Sequence, residues 1–200
     1  MVAGIEQTLI YWFGQLTEDG LPADDRMSLW FGKDDAQDAE IRRRFSAQLA
    51  DASANALDHW CNAPSGLIAL VVTLDQFSRN IFRDTPAAFA ADPKALSLAT
   101  NAVECGLDRS MPWIHRVFLY MPLEHAEDPL SQELSVRCFE SLVADAVPAA
   151  RLLADNFLDY ARKHRDIVVR FGRFPHRNNI LGRPSSARER AFLREPDSSF

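Results

Sequence analysis

Apolar residues recur at every third or fourth position along most of this 200-residue chain, the spacing of helices that bury one face. No segment of four or more residues alternates apolar and polar positions between turn signals, and no Asn-Gly or Asp-Gly dipeptide joins two such segments. The pattern therefore predicts an all-α protein made of antiparallel helix pairs. We expect either a compact bundle or a superhelix like those of helical-repeat proteins.

Proline marks several predicted helix starts, because it suits the first helical position after a residue that can cap with a side-chain oxygen. Thr85-Pro86, Asp92-Pro93 and Asp128-Pro129 have this form. Gly106 is expected to end the helix that begins near Asp92, and Ser110 to begin the next one. About nine helices are predicted, at 4–16, 35–46, 47–61, 64–82, 86–91, 92–105, 111–121, 129–146 and 148–171, with a short tail helix near 186–194 that Ser186 and Glu189 begin as a capping box.

Composition places the chain among globular proteins: 47% of its residues are hydrophobic and 25% are charged. The longest uncharged apolar run, Ser65 to Leu74, is too short to cross a bilayer, and the first residues lack the pattern of a signal peptide. We expect a single domain over 1–200, located in the cytoplasm, with no membrane partner. The three cysteines show no metal or disulfide spacing and are expected to be reduced core thiols.

Charge is distributed unevenly along the chain. The formal net charge is −6, which makes nucleic acid an unlikely partner, but residues 151–200 alone carry +5. The predicted C-terminal loop and tail, 172–200, are rich in arginine. These arginines either pair with the acidic remainder of the chain or bind an anion, and both interpretations stay open at this point.

The predicted helix at 64–82 combines an apolar first half with a polar second half. Its first half is apolar on almost every side, which is typical of a central, buried helix. Its second half carries Asp75, Gln76, Arg79, Asn80 and Arg83. Asp75 and Arg79 are four residues apart and are expected to pair, which leaves Arg83 free. The group forms either a structural salt-bridge network or a clamp for a carboxylate or phosphate.

Two further segments contribute imidazole and carboxylate groups. Pro122 is expected to break or kink its helix and to present Glu124 and His125. His164 lies in the apolar stripe of the helix after Pro148, where a histidine is usually a satisfied core residue. The loop that follows adds four polar residues between aromatic ones, namely Arg173, His176, Arg177 and Asn178.

Several common enzyme and metal-binding classes are excluded because their sequence motifs do not occur. The histidines and acids could form a nitrogen–oxygen ligand set, but HExxH, di-iron and cysteine ligand patterns do not occur, so no metal site is predicted. A phosphate-binding loop, a GxGxxG fingerprint and a GxSxG elbow are also missing from the sequence.

Several segments together resemble the uncharacterised bacterial helical family known as domain of unknown function 924. The resemblance covers nearly the whole chain and rests on Tyr11-Trp12-Phe13-Gly14, the run Leu74 to Arg83, Phe118 to Pro122 with Glu124-His125, and Arg170 to Asn178 followed by Leu181-Gly182-Arg183. It implies an all-helical fold similar to tetratricopeptide-type superhelices and no established activity. This chain departs from the family pattern at Ser78, where proline is usual, and at Ala126, where serine is common.

Two functions are compatible with these residues. In the first, a pocket binds a small anionic molecule and performs acid–base chemistry. Its predicted catalytic residues are Glu124, His125, His164 and His176, and its predicted ligand-binding residues are Asp75, Gln76, Arg79, Asn80, Arg83, Arg173, Arg177 and Asn178. In the second, the helical fold is a tetratricopeptide-like module that binds a peptide or protein partner without catalysis. The pattern specifies neither a cofactor nor an oligomeric state.

Overall fold

The computed structural model describes residues 2–196 and Ser198, and helices account for most of them. Its α-helices are α1 (Val2–Phe13), α2 (Met27–Phe31), α3 (Asp35–Ser53), α4 (Pro64–Val71), α5 (Ser78–Ile81), α6 (Asp92–Glu104), α7 (Trp113–Glu124), α8 (Pro129–Ala144), α9 (Arg151–Phe171) and α10 (Ala187–Phe192). Short 3-10 turns occur at Asp58–Asn62, Pro86–Phe89, Leu107–Ser110, Pro148–Ala150 and Pro175–Arg177. Within the described ranges no β-strand is formed, so the all-α prediction is confirmed.

In the described structure, the segment most similar to a β-hairpin is the turn at Asp19-Gly20. It brings Leu16 and Pro22 together as an isolated antiparallel bridge, with Gly20 at a φ of +73°. A Cβ atom at Gly20 would lie 2.8 Å from the backbone nitrogen of Trp113. Both the backbone angle and the available space therefore favour glycine at this position. One bridge does not extend into a sheet.

The predicted central helix is present and deeply buried. Helices α4 and α5 are joined without a break by a single π-helical turn at Val72–Phe77. Residues from Ile68 to Asp75 are fully buried, as expected for the apolar first half of the helix, and the burial extends to the polar residues Thr73 and Asp75. If this continuous rod is counted once, the described part of the chain contains nine separate α-helices, in agreement with the predicted number.

Consecutive helices pack against each other around this rod. Helix α8 packs on both α7 and α9, and the short connections between them make neighbouring helices antiparallel. Phe118 of α7 lies among Trp12, Phe13 and Trp30, with ring centroids 5.6, 5.3 and 4.9 Å from its own in edge-on geometry. These aromatic contacts join α1, α2 and α7 in the main core.

Two predicted helix breaks are wrong. The expected boundary between residues 46 and 47 does not exist, because no residue there interrupts the helical bonds, and α3 continues to Ser53 before Asn55 adopts a φ of +66°. Pro122 does not end α7, which continues to Glu124. Every side chain of α7 is buried, so tertiary packing maintains the helix although proline removes one of its hydrogen bonds.

Two smaller expectations are also corrected. Ser110 does not begin α7, because its hydroxyl donates to the Leu107 carbonyl and the helix starts at Trp113 after the extended Pro112. The expectation of three core thiols fails for Cys105, which is exposed beyond the C-terminus of α6. No helix in residues 2–196 is long and apolar enough to cross a membrane.

A second, smaller apolar cluster forms at the C-terminal end. It contains Ile167, Val168, Phe174 and Phe192, with Phe171 against it. The predicted capping box of α10 is present, since the Ser186 hydroxyl accepts from the Glu189 N–H and the Glu189 carboxylate accepts from the Ser186 N–H. Through Phe192, α10 packs in this cluster against Ile167 and Val168 of α9.

Candidate functional site

A buried carboxylate–imidazole pair lies at the centre of the candidate site. Asp75, in the π-helical turn, is fully buried, and its Oδ1 lies 2.8 Å from Nδ1 of His125, which follows α7. Gln76 donates its amide to the other carboxylate oxygen, Oδ2, at 2.5 Å. The wider π turn also leaves the Asp75 carbonyl able to accept from the side chains of Ser78 and Arg79.

The charges around this pair determine the state of the imidazole. Burial alone would raise the pKa of Asp75, but the Arg79 guanidinium, 3.1 Å away, and His125 hold it well below its usual range. Burial lowers the pKa of His125, against the opposing effect of Asp75. An ionised carboxylate only accepts, so Nδ1 of the neutral ring carries the hydrogen and Nε2 carries a lone pair. Among the described residues, none forms a hydrogen bond with Nε2.

Two arginines border the pair. Arg79 forms a two-pronged ion pair with Asp92, with Nη1–Oδ1 and Nη2–Oδ2 distances of 3.0 and 3.2 Å. Arg177 donates from Nη1 to the His125 carbonyl at 3.0 Å, and its guanidinium lies between the rings of Phe89 and Phe174, at 4.8 and 4.5 Å from their centroids. Among the residues that the structure describes, none accepts a hydrogen bond from its buried Nε. Burial and the neighbouring Arg79 lower the pKa of Arg177 to about 10.

A second carboxylate–imidazole pair lies next to the Asp75–His125 pair. Glu124 and His164 are both buried, and Oε1 of Glu124 is 2.9 Å from Nδ1 of His164, which also lies 2.8 Å from the Tyr160 carbonyl. The rings of His164 and His125 are 6.3 Å apart. Burial and the adjacent Arg177 lower the pKa of the partly buried His176 to about 4.

Glu127 anchors the loop that carries His176 and Arg177. Its carboxylate accepts from the Phe174 N–H at 2.8 Å and from both terminal nitrogens of Arg183, at 2.5 and 2.8 Å. Burial would raise the pKa of Glu127, but these contacts lower it, so the clamp is ionic. The loop is thereby held against the end of α7.

Four predicted ligand-binding residues lie away from the Asp75–His125 pair. Arg83 is not free as expected, because the fold places the carboxylate of Asp38 on α3 against it, and Asn80 donates to the same carboxylate at 2.9 Å. Arg173 pairs with Glu189 at 2.7 Å, and Asn178 donates to the same residue at 3.3 Å. These two groups stabilise the α3–α5 and C-terminal contacts.

The structure adds two residues to the site that the sequence did not indicate. Asp92 and Phe89 both contact the arginines, although the Asp92-Pro93 dipeptide had suggested only a helix start. Asp92 could have been predicted only from the knowledge that the start of α6 packs against Arg79. The spacing of residues along the chain does not contain that information.

Two surface pockets of about 320 and 260 Å³ lie elsewhere. The first is lined mainly by apolar residues between α3, the central helix and the Pro86–Phe89 turn, and the second lies between the α1–α2 connection and the start of α9. Neither of these pockets includes Asp75, His125 or Arg177 in its lining. In the described residues, no group of three or more histidine, cysteine or acidic side chains could hold a metal ion.

Fold and site together define an all-α protein with a network of imidazole, carboxylate and guanidinium groups at the polar end of its central helix. The chain belongs to the family described as bacterial protein of unknown function (DUF924), whose model matches residues 8–197. It is similar to the solved structure of a protein of unknown function, ATU0120, from Agrobacterium tumefaciens. The two chains are 35% identical, the match covers 96% of this chain and 98% of the other, and the TM-score is 0.78. No curated protein matches the sequence.

Proposed function

We propose that this protein binds a small molecule with a carboxylate or phosphate group beside Arg79 and Arg177, and that His125 acts on it as a general base. The observation that carries this proposal is the Asp75–His125 pair. A buried carboxylate holds one nitrogen of the ring and leaves the other, Nε2, without a hydrogen-bond partner in the described part of the protein. This arrangement, in which an acid orients the ring and the free nitrogen meets the substrate, is typical of general-base histidines.

The arginines supply the attraction for an anion. Arg177 is more than nine-tenths buried, yet its Nε donates to no acceptor within the described ranges of the chain. A buried donor without an acceptor is costly. An anionic ligand that reaches Nε would remove this cost. Phe89 and Phe174 restrict Arg177 to one plane, which favours a ligand that approaches that plane edge-on.

Glu124 and His164 support this site as positioning residues. They are buried behind His125 and fix the end of α7, from which His125 projects. His176 reaches the same region on the loop that Glu127 clamps, and it is assigned to the ligand side together with Arg177. Gln76 is assigned to hold the Asp75 carboxylate in place.

Thermal-shift measurements against carboxylated and phosphorylated metabolites test the proposal. A ligand at 100 times its Kd stabilises the native state by about 2.7 kcal/mol, which raises the Tm by several degrees. We expect Arg177→Met and His125→Asn to lose this shift. Arg162→Met is the matched control, because Arg162 forms an exposed ion pair with Glu140 on the surface of α9. A shift that survives in both site variants would contradict the site.

A panel without any stabilising metabolite would instead favour the tetratricopeptide-like interaction module. The two functions also differ in the expected role of His125. A peptide-binding module does not require a neutral imidazole with a free nitrogen, so His125→Asn would leave peptide binding unchanged.

A further inference from the structure

Asp92 already occupies the place where an anion would bind. Both of its carboxylate oxygens accept from Arg79, and Oδ2 lies 3.8 Å from Nη1 of Arg177. Both guanidinium groups lie near the Phe89 ring, at 5.8 and 4.8 Å from its centroid. The Asp92 carboxylate is therefore held as an arginine pair holds a bound carboxylate.

Among the described residues, no hydrogen bond or ion pair holds the Asp92 side chain apart from those with the two arginines. It is the first residue of α6, but in the described structure no backbone N–H of this helix donates to its carboxylate. Its side chain is 22% exposed, in contrast to the 1% of Asp75. Rotation of one side chain would release it into solvent without a change in α6.

We propose that Asp92 is an internal ligand that fills the carboxylate subsite in the free protein and is displaced when a carboxylate-bearing molecule binds. This inference rests on the proposed function and specifies its ligand as a carboxylate. The exchange replaces one carboxylate by another, so the charge next to Arg79 and Arg177 is unchanged. The group that now makes the planar, two-pronged contact with Arg79 is itself a carboxylate, and we therefore assign a carboxylate to the ligand that replaces it.

An internal competitor lowers the apparent affinity for the ligand, since only the fraction of molecules with Asp92 displaced can bind. Removal of the competing charge should therefore strengthen binding. If Asp92 occupies the subsite in most molecules, Asp92→Asn should lower the apparent Kd for a carboxylate by about 3- to 10-fold.

Sodium acetate and inorganic phosphate, titrated at constant ionic strength, serve as probes. The ¹⁵N signal of Arg177 Nε reports binding, because no described residue accepts a hydrogen bond from this nitrogen in the free protein. We expect a lower Kd for acetate in Asp92→Asn than in the wild type. Asp145→Asn is the control, since Asp145 forms a comparable ion pair with Arg116, at 2.8 Å. Its Kd should equal that of the wild type.

The outcomes separate the two proposals. Acetate binding that depends on Arg177 but is equal or weaker in Asp92→Asn would overturn the internal-ligand role and leave the proposed function intact. An equal gain for phosphate would overturn the carboxylate assignment. If neither probe moves the Arg177 signal in either protein, the anion site itself is refuted. Should Asp92→Asn fail to fold, the ¹³C signal of the Asp92 carboxylate in the wild type provides the same test, because displacement must shift it along the acetate isotherm.

Discussion

Asp75 and His115 show two different responses of a titratable side chain to burial. Asp75 is fully buried and stays ionised because Arg79, His125 and Gln76 all contact its carboxylate. His115 is buried against the Phe13 ring, at 4.4 Å between centroids, and burial alone lowers its pKa to about 4. The partners of a buried group therefore decide whether it keeps its charge.

The lowered pKa of His115 predicts that the folded state becomes less stable in acid. The folded-state pKa of His115 lies below the value of 6.5 expected for an unfolded chain, so the unfolded state binds the proton first as the pH falls. The contribution of His115 to stability is complete above pH 6.5 and is lost towards pH 4, and it amounts to about 3 kcal/mol at most. His176 shifts in the same direction.

Urea unfolding at a series of pH values measures this effect. In His115→Gln we expect the decrease in stability between pH 6.5 and 4 to be smaller than in the wild type, because one of the groups that takes up a proton on unfolding is removed. A variant whose pH profile matches that of the wild type would show that His115 does not titrate in this range.

At the scale of the element, similar dipeptides have different roles. Asp128 caps α8 as predicted, with its carboxylate accepting from the Ser131 N–H at 2.8 Å. The Thr85 hydroxyl instead donates backwards to the Phe82 carbonyl, and the Asp92 carboxylate contacts Arg79. Of these three residues, only Asp128 therefore caps its helix with its side chain in the described structure.

Loss of the Asp128 cap should destabilise the protein by about 1 kcal/mol. The substitution is Asp128→Ala, and chemical denaturation monitored by circular dichroism gives the free energy of unfolding. Glu133→Ala on the exposed side of the same helix is the control, with an expected change within about 0.5 kcal/mol. Equal effects of the two substitutions would show that the hydrogen bond to Ser131 contributes nothing.

The π-helical turn is an element that local sequence did not predict. No proline or glycine in residues 72–77 marks a change from the α-helix before them. The turn places Asp75 and Gln76 together inside the protein, where Gln76 also contacts the Met121 sulfur at 3.4 Å. The turn packs against α3, α6 and α7, which come from distant parts of the chain.

Across the whole molecule, the arginine-rich C-terminal segment is largely engaged by acidic side chains. Arg173 pairs with Glu189, Arg183 with Glu127 and Arg162 with Glu140. Most of these ion pairs are partly exposed and contribute little stability individually. The Arg183–Glu127 pair attaches the C-terminal loop to the segment after α7, whereas Arg173–Glu189 joins the loop to α10 and Arg162–Glu140 joins α9 to α8.

We predict that residues 1–200 unfold as one cooperative domain. All four tryptophans lie in the main core, whereas the C-terminal cluster around Phe174 contains none. Helix α9 contributes residues to both clusters, so the two should lose structure together. Tryptophan fluorescence and far-ultraviolet circular dichroism should give the same denaturation midpoint. A circular dichroism phase without a fluorescence change would show that the C-terminal segment unfolds separately.

The sequence by itself determined the helical class, the buried central helix and the Asp75–Arg79 pair, because each depends on residues within a few positions of one another. Only the tertiary structure decided that Asp75 meets His125, 50 residues away, and that Asp38 takes Arg83. A charged side chain pairs with the group that helix packing brings within about 4 Å of it. The hydrophobic periodicity of a sequence does not show which helices pack against each other. The same limit applies to Asp92, whose contact with Arg79 depends on where α6 crosses the central helix.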